Sequence, residues 1–190
     1  MTLAARERAA PAAALRFGYL ADAPQHAATL AQWHLGAWGA LLRDWTVAAA
    51  QAELETHRAH CAIPTTIVAY EGDELAGSAS LLANDHERIR AWSPWLASVF
   101  VRPSSRGRGI GRALVERVVA DARALRVQEL YLYTTDAVAY YEALGWKECG
   151  RMTLDAVDVV VMCVAPAGFI PSPTHVGEGD GGCAGEGVRS

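Results

Sequence analysis

Six consecutive residues constrain this chain more than any others: Arg106-Gly107-Arg108-Gly109-Ile110-Gly111, set between a β-rich run over 95–101 and a helical pattern over 109–125. Glycines at 107, 109 and 111 leave this turn nearly bare of side chains. Several backbone N–H groups can then converge on one anion, aided by the positive end of the following helix. Arg106, Arg108 and Arg112 add guanidinium groups, which grip phosphate oxygens through paired donors. A pyrophosphate suits such a turn. It is not the pyrophosphate of the dinucleotide fingerprint GxGxxG, because Arg112 stands where the third glycine belongs, and the GxxxxGK[ST] phosphate loop is absent.

The basic turn is local in an acidic chain. Against 17 Lys and Arg stand 21 Asp and Glu, a formal charge of −4 over 190 residues. That balance lacks the broad positive field that gathers nucleic acid or anionic lipid, so neither is expected as a partner. With 52% hydrophobic and 20% charged residues the composition is that of a globular protein. The longest uncharged run, 159–174, is broken by Pro166, Gly168, Pro171 and Pro173, and cannot supply the ~20 apolar residues of a membrane span. Arg6, Glu7 and Arg8 interrupt any secretory signal, and Cys61, Cys149, Cys163 and Cys183 are scattered without regular spacing. Reduced thiols in a soluble, cytoplasmic protein are expected.

Along the chain, residues 1–14 read as a flexible Ala-rich tail, 15–165 as the single working domain, and 166–190 as a disordered Gly/Pro-rich tail. Strands are predicted over 15–20, 66–70, 75–82, 95–101, 128–133, 146–154 and 157–164. Helices are predicted from the Asp22-Ala-Pro24 start signal to Leu41, and over 46–60, 109–125 and 137–144. Hairpins early, a strand–helix–strand crossover in the middle and a hairpin last give a mixed sheet with helices on its faces. His57, His60 and Cys61 fall at i, i+3, i+4 of the second helix, a spacing compatible with metal ligation, but no fourth ligand is evident and a polar helix end is the better reading.

Arg106, Gly109 and Gly111 also satisfy an [R/Q]xxG-x-G/A pattern, and one strand further on comes Ala137-Val-Ala-Tyr-Tyr-Glu-Ala-Leu-Gly-Trp146. Together these segments resemble the GNAT superfamily of acyl-CoA-dependent N-acetyltransferases, over about residues 95–146. The resemblance implies an α/β fold: a mixed, mostly antiparallel sheet of about seven strands, helices on both faces, and a V-shaped splay between two central strands. It implies acetyl-CoA as cosubstrate, with no metal. The backbone of Val99, Phe100 and Val101 would hold the pantetheine arm and polarise the thioester carbonyl. Arg106, Gly107, Arg108, Gly109, Ile110, Gly111 and Arg112 would hold the pyrophosphate. Tyr141 corresponds to the general acid that protonates the departing thiolate.

The implied reaction is direct attack of an amine on acetyl-CoA in a ternary complex. Many relatives keep a carboxylate base on the strand occupied here by Leu96, Ala97 and Ser98, where this chain has none. Asp85, His86 or Glu87 in the preceding loop, or His34, could act through water. The first two helices usually wall the acceptor site, which points to Trp33, His34 and Trp38, with Asp44 and Trp45 between the helices and Trp92 and Trp95 near the central strand. Aromatic walls suit an ammonium or a flat acceptor. The expected acceptor is the primary amine of a small molecule; the alternatives are a peptide or protein amino group, or an idle domain that only senses acyl-CoA. A monomer or homodimer is expected.

Overall fold

The structure, a computed structural model, describes residues 14–40 and 45–171. Strands β2 (Thr65–Glu71) and β3 (Glu74–Leu82) turn on Gly72, whose φ of 61° suits a two-residue hairpin. Both are buried along most of their length, as strands covered on two faces must be. Ile67, Ala69, Ala79 and Leu81 belong to the core packed by helix α3 (Ile110–Ala124). Val68 and Tyr70 face the opposite way, against α1 (Ala27–Trp38) and α2 (Val47–Leu54). The remaining strands are β1 (Leu15–Tyr19), β4 (Trp95–Val101), β5 (Leu130–Thr134), β6 (Lys147–Leu154) and β7 (Val157–Val164), and a short helix α4 spans Val138–Glu142. Their order is β1-β2-β3-β4-β5-β7-β6, antiparallel throughout except for β4 and β5. A parallel pair needs a crossover, and α3 supplies it. This is the mixed, mostly antiparallel seven-stranded α/β fold that the sequence implied.

The amphipathic stripe of α3 buries Ile110, Leu114, Val118 and Ala122 against the sheet, with full burial contributing roughly 2 kcal/mol for each larger side chain. Arg112 reaches Glu116 at 2.9 Å and Arg117 reaches Asp121 at 3.4 Å, both i,i+4 pairs. Asp121 is nevertheless buried, because it also accepts a hydrogen bond from Tyr19 at 2.8 Å.

Element bounds differ where side chains turn inward. Two 3₁₀ turns, Leu20–Asp22 and Pro24–His26, precede α1, since Pro24 holds Ala23 away from helical geometry (φ −138°, ψ 54°). Helix α2 opens with Thr46 accepting from the Ala49 N–H at 3.1 Å, but it stops at Leu54, six residues short of the predicted end. Beyond it His57 enters the protein to meet the Thr66 hydroxyl at 2.7 Å. His57, His60 and Cys61 therefore share no helix face. His60 bonds Asp22 at 2.8 Å and stacks on Tyr19, while Cys61 is disulfide-bonded, against the expectation of reduced thiols. Cys149 and Cys163 are free thiols. Among the described residues no group of three or more His, Cys, Asp or Glu is arranged to hold a metal ion, and no helix is long and apolar enough to cross a membrane. Packing continues past residue 165: Pro166 is buried and Phe169 rests on the α3 side of the core. The rest of both expected tails, with Leu41 and Asp44, lies outside the described residues.

Candidate active site

The site begins as a defect in β4. Ser80 pairs with Ala97 and Ser78 with Phe100, so Ala79 alone faces two residues, Ser98 and Val99. Ser98 takes a left-handed φ of 52° to accommodate the extra residue, a conformation costing a serine on the order of 1 kcal/mol. A bulged strand bends, and β4 pairs with β5 only at Trp95 and Tyr131. Past that point the two strands part. The gap holds a cavity of about 530 Å³ lined by residues 96–99 of β4 and 132–137 at the end of β5. Trp38, Trp45, Glu53, Asp85, His86 and Asp155 close its outer end, and Tyr141 borders it from α4.

Below the gap lies the glycine turn. Gly107 and Gly109 adopt φ of 74° and 80°, which few side-chain-bearing residues tolerate. Gly111 is tight: a Cβ there would come within 3.3 Å of the Tyr140 hydroxyl and 3.5 Å of Val101 Cγ2. The N–H groups opening α3 have no preceding helical turn to bond, which leaves them for an anion. The arginines have protein partners. Arg106 Nε donates to the Val101 carbonyl at 3.0 Å, Arg108 contacts Glu71 at 2.6 Å, and Arg112 contacts Glu116. Ser105, hydrogen-bonded to Glu71, and the Arg108 and Arg102 guanidiniums hold the Glu71 carboxyl below its usual range. The turn thus offers an anion its main chain first, with the guanidiniums braced around it.

Burial raises the Tyr141 phenol well above its ordinary range, with Tyr140 and Asp136 adding to the effect, so the group is protonated at neutral pH. At the outer end burial also raises Glu53, and it pushes Asp85 up to about 7, assisted by the charge of Glu53. The Tyr133 phenol interacts with Asp85 by hydrogen bonding. His86 Nε2 meets Asp155 at 3.1 Å, joining the loop before β4 to the β6–β7 hairpin.

The aromatic residues expected at the acceptor end separate. Trp38 lines the cavity. Trp33 packs on Phe100 at 5.3 Å between centroids, behind the wall. His34 is buried, with its ring nitrogen 2.9 Å from Ser78, and burial pushes it down to about 4, His57 adding to this. Trp95 is fully buried, stacked on Trp92 and tilted against Tyr131, its indole donating to the Trp92 carbonyl at 2.7 Å. His34 and Trp95 are thus core residues, because each finds its polar partner inside. The sequence reading missed Glu53, Tyr133 and Asp155. Only the last could have been suspected, as the tip of a predicted hairpin.

Residues 28–146 match the family described as Acetyltransferase (GNAT) family. No curated protein matches the chain. Among solved structures, a GNAT-family protein from Desulfovibrio desulfuricans is 23% identical, with 80% of this chain and 99% of that one covered and a TM-score of 0.62. The yncA protein of Salmonella typhimurium, solved with its cofactor acetyl-CoA, is 18% identical over 85% and 99%, at 0.63. Spermidine N-acetyltransferase from Vibrio cholerae, in complex with CoA and spermine, is 16% identical over 80% and 96%, at 0.61. These likenesses agree with the splayed sheet, and the family match spans α1, the gap and the glycine turn. The chain belongs to the GNAT acetyltransferase family, acetyl-CoA-dependent enzymes of N-acetyl transfer.

Proposed function

We propose that this enzyme moves the acetyl group of acetyl-CoA onto the primary amine of a small molecule, by direct attack in a ternary complex. The observation that carries the acceptor class is the outer end of the cavity. Its lining pairs the indoles of Trp38 and Trp45 with the carboxyls of Glu53, Asp85, Asp136 and Asp155, and among the described residues it contains no lysine or arginine. Carboxylates and aromatic faces both favour an ammonium group. A walled space of about 530 Å³ suits a small molecule better than a folded protein's tail.

In this reading the glycine turn holds the pyrophosphate through the N–H groups of residues 107–112. The pantetheine arm runs along Val99, Phe100 and Val101, where β4 has left its neighbour. A β4 N–H beside the bulge polarises the thioester carbonyl, which accumulates negative charge as the amine adds. Tyr141 then protonates the departing thiolate. The desolvation that raises the phenol also raises the proton affinity of the sulfur beside it, so donor and acceptor remain matched.

The test is thiol release from acetyl-CoA across a panel of mono- and diamines, amino acids and short peptides. Turnover confined to small cationic amines is the expected result. Faster turnover with peptides would move the acceptor class to polypeptides, and no turnover with any amine would leave an acyl-CoA-binding module.

A further inference from the structure

We propose that Asp85 is the base that takes the proton from the acceptor's ammonium group, and that the Tyr133 phenol positions its carboxyl at the cavity wall. The inference rests on the acetyl-transfer reading above and assigns the step which that reading leaves without a residue. An ammonium ion has no lone pair, so it must lose a proton before it can attack the thioester.

The other groups able to take that proton are occupied or misplaced. His86 Nδ1 accepts the Arg88 N–H at 3.2 Å, so Nε2 carries the ring's hydrogen and spends it on Asp155 at 3.1 Å. Asp155 is the acceptor of that contact. Glu87 lies outside the cavity lining, 3.5 Å from Arg90. His34 is buried behind the wall on Ser78. Glu53 and Asp136 also line the cavity, at more exposed positions than Asp85. Asp85 is half-buried at the wall. It is faced by Tyr133 from β5, Glu53 from α2 and His86 from its own loop, and Asp155 also acts on Tyr133. Burial and the Glu53 charge bring it to about 7, where a carboxylate is both ionised at working pH and basic enough to accept a proton.

The step balances without any further reactant. The ammonium gives one proton to Asp85, and the free amine forms the C–N bond as the C–S bond breaks. Tyr141 protonates the thiolate and regains its proton from the second N–H that the new amide must lose. Asp85 returns its own proton to water, so each turnover releases one.

The experiment is the pH profile of kcat/KM, by thiol release with the best amine of the panel, for wild type, Asp85→Asn, Tyr133→Phe and Glu53→Gln. Wild type should show an acid limb with a midpoint near 7. Asp85→Asn should lose about 100-fold at neutral pH and lose that limb, while CoA affinity stays unchanged. Tyr133→Phe removes a hydrogen bond to the ionised carboxyl and should move the limb up; Glu53→Gln removes a like charge and should move it down, each by roughly 0.5–1 pH unit. A purely structural carboxyl would not produce opposite displacements. Asp85→Asn within twofold of wild type, or a limb that neither neighbour moves, overturns the assignment alone. A wild type that turns over no amine sinks the acetyl-transfer reading and this assignment with it.

Discussion

The two ends of the β4–β5 gap are made by different means. The end that we propose for the cofactor is main chain from one unbroken stretch, residues 106–112, whose shape is set by positive φ at Gly107 and Gly109. The end that we propose for the acceptor is side chains from separate places: Trp38 on α1, Glu53 on α2, Asp85 before β4, Tyr133 on β5 and Asp155 at the last hairpin. A ligand common to a whole family can be held by backbone, which looks alike whatever the side chains are. A ligand particular to one protein must be held by side chains, and only tertiary folding brings those together.

The largest effect should come from breaking the backbone end. Gly109→Val forces a β-branched residue into φ 80° and should weaken CoA binding by 100-fold or more in calorimetry. The pH behaviour of the acceptor cavity should be untouched. Retained CoA affinity would dissolve the contrast between the two ends.

Acid should loosen the acceptor side through its foundations. Burial holds His34 and His57 at about 4, below the ordinary 6.5. Above pH 6.5 neither state is protonated and the pair costs nothing. As pH falls from 6.5 towards 4 the unfolded chain binds protons that the folded chain refuses, and stability drops by up to about 3 kcal/mol per histidine. Asp85, raised to about 7, acts in the opposite sense over the same range, so the readout is a difference. Thermal melts of His57→Asn should fall less between pH 6.5 and 4 than those of wild type.

Tyr141→Phe tests the place where the two ends meet. It should lower kcat by about 10- to 100-fold and leave the CoA dissociation constant unchanged. Trp38→Ala should raise the KM for the amine about tenfold with little change in the KM for acetyl-CoA. Arg108→Ala should be mildest, about threefold in CoA affinity, since its guanidinium is engaged with Glu71.

The same division decides what could be read from sequence. Strands β4 and β7 have their predicted bounds and α3 lies within one residue of its own, because long apolar periodicity and a Gly-rich boundary are local signals. Helix α2 ends before its predicted bound, and nothing local reveals that His57 has a hydroxyl waiting on β2. Trp95 reads as a cavity wall in the sequence, which marks an indole's presence and not its partners; three rings and a carbonyl hold it inside. The sequence offers Asp85 as a candidate base only alongside its neighbours His86 and Glu87 and the distant His34. The basicity of Asp85 comes from burial and from the charge of Glu53, and the Tyr133 phenol tempers it; both residues lie dozens of positions away in the chain.

The surplus residue at Ser98 has one more consequence. A bulge absorbs an extra residue, so the residues beyond it keep their partners on the neighbouring strand. Deleting Ser98 would pair Val99 with Ala79 and let β4 run flush with β3, removing the curvature that keeps β5 at a distance. A single-codon lesion that removes no ionisable group could zip the sheet shut and abolish the gap in which we propose the thioester lies.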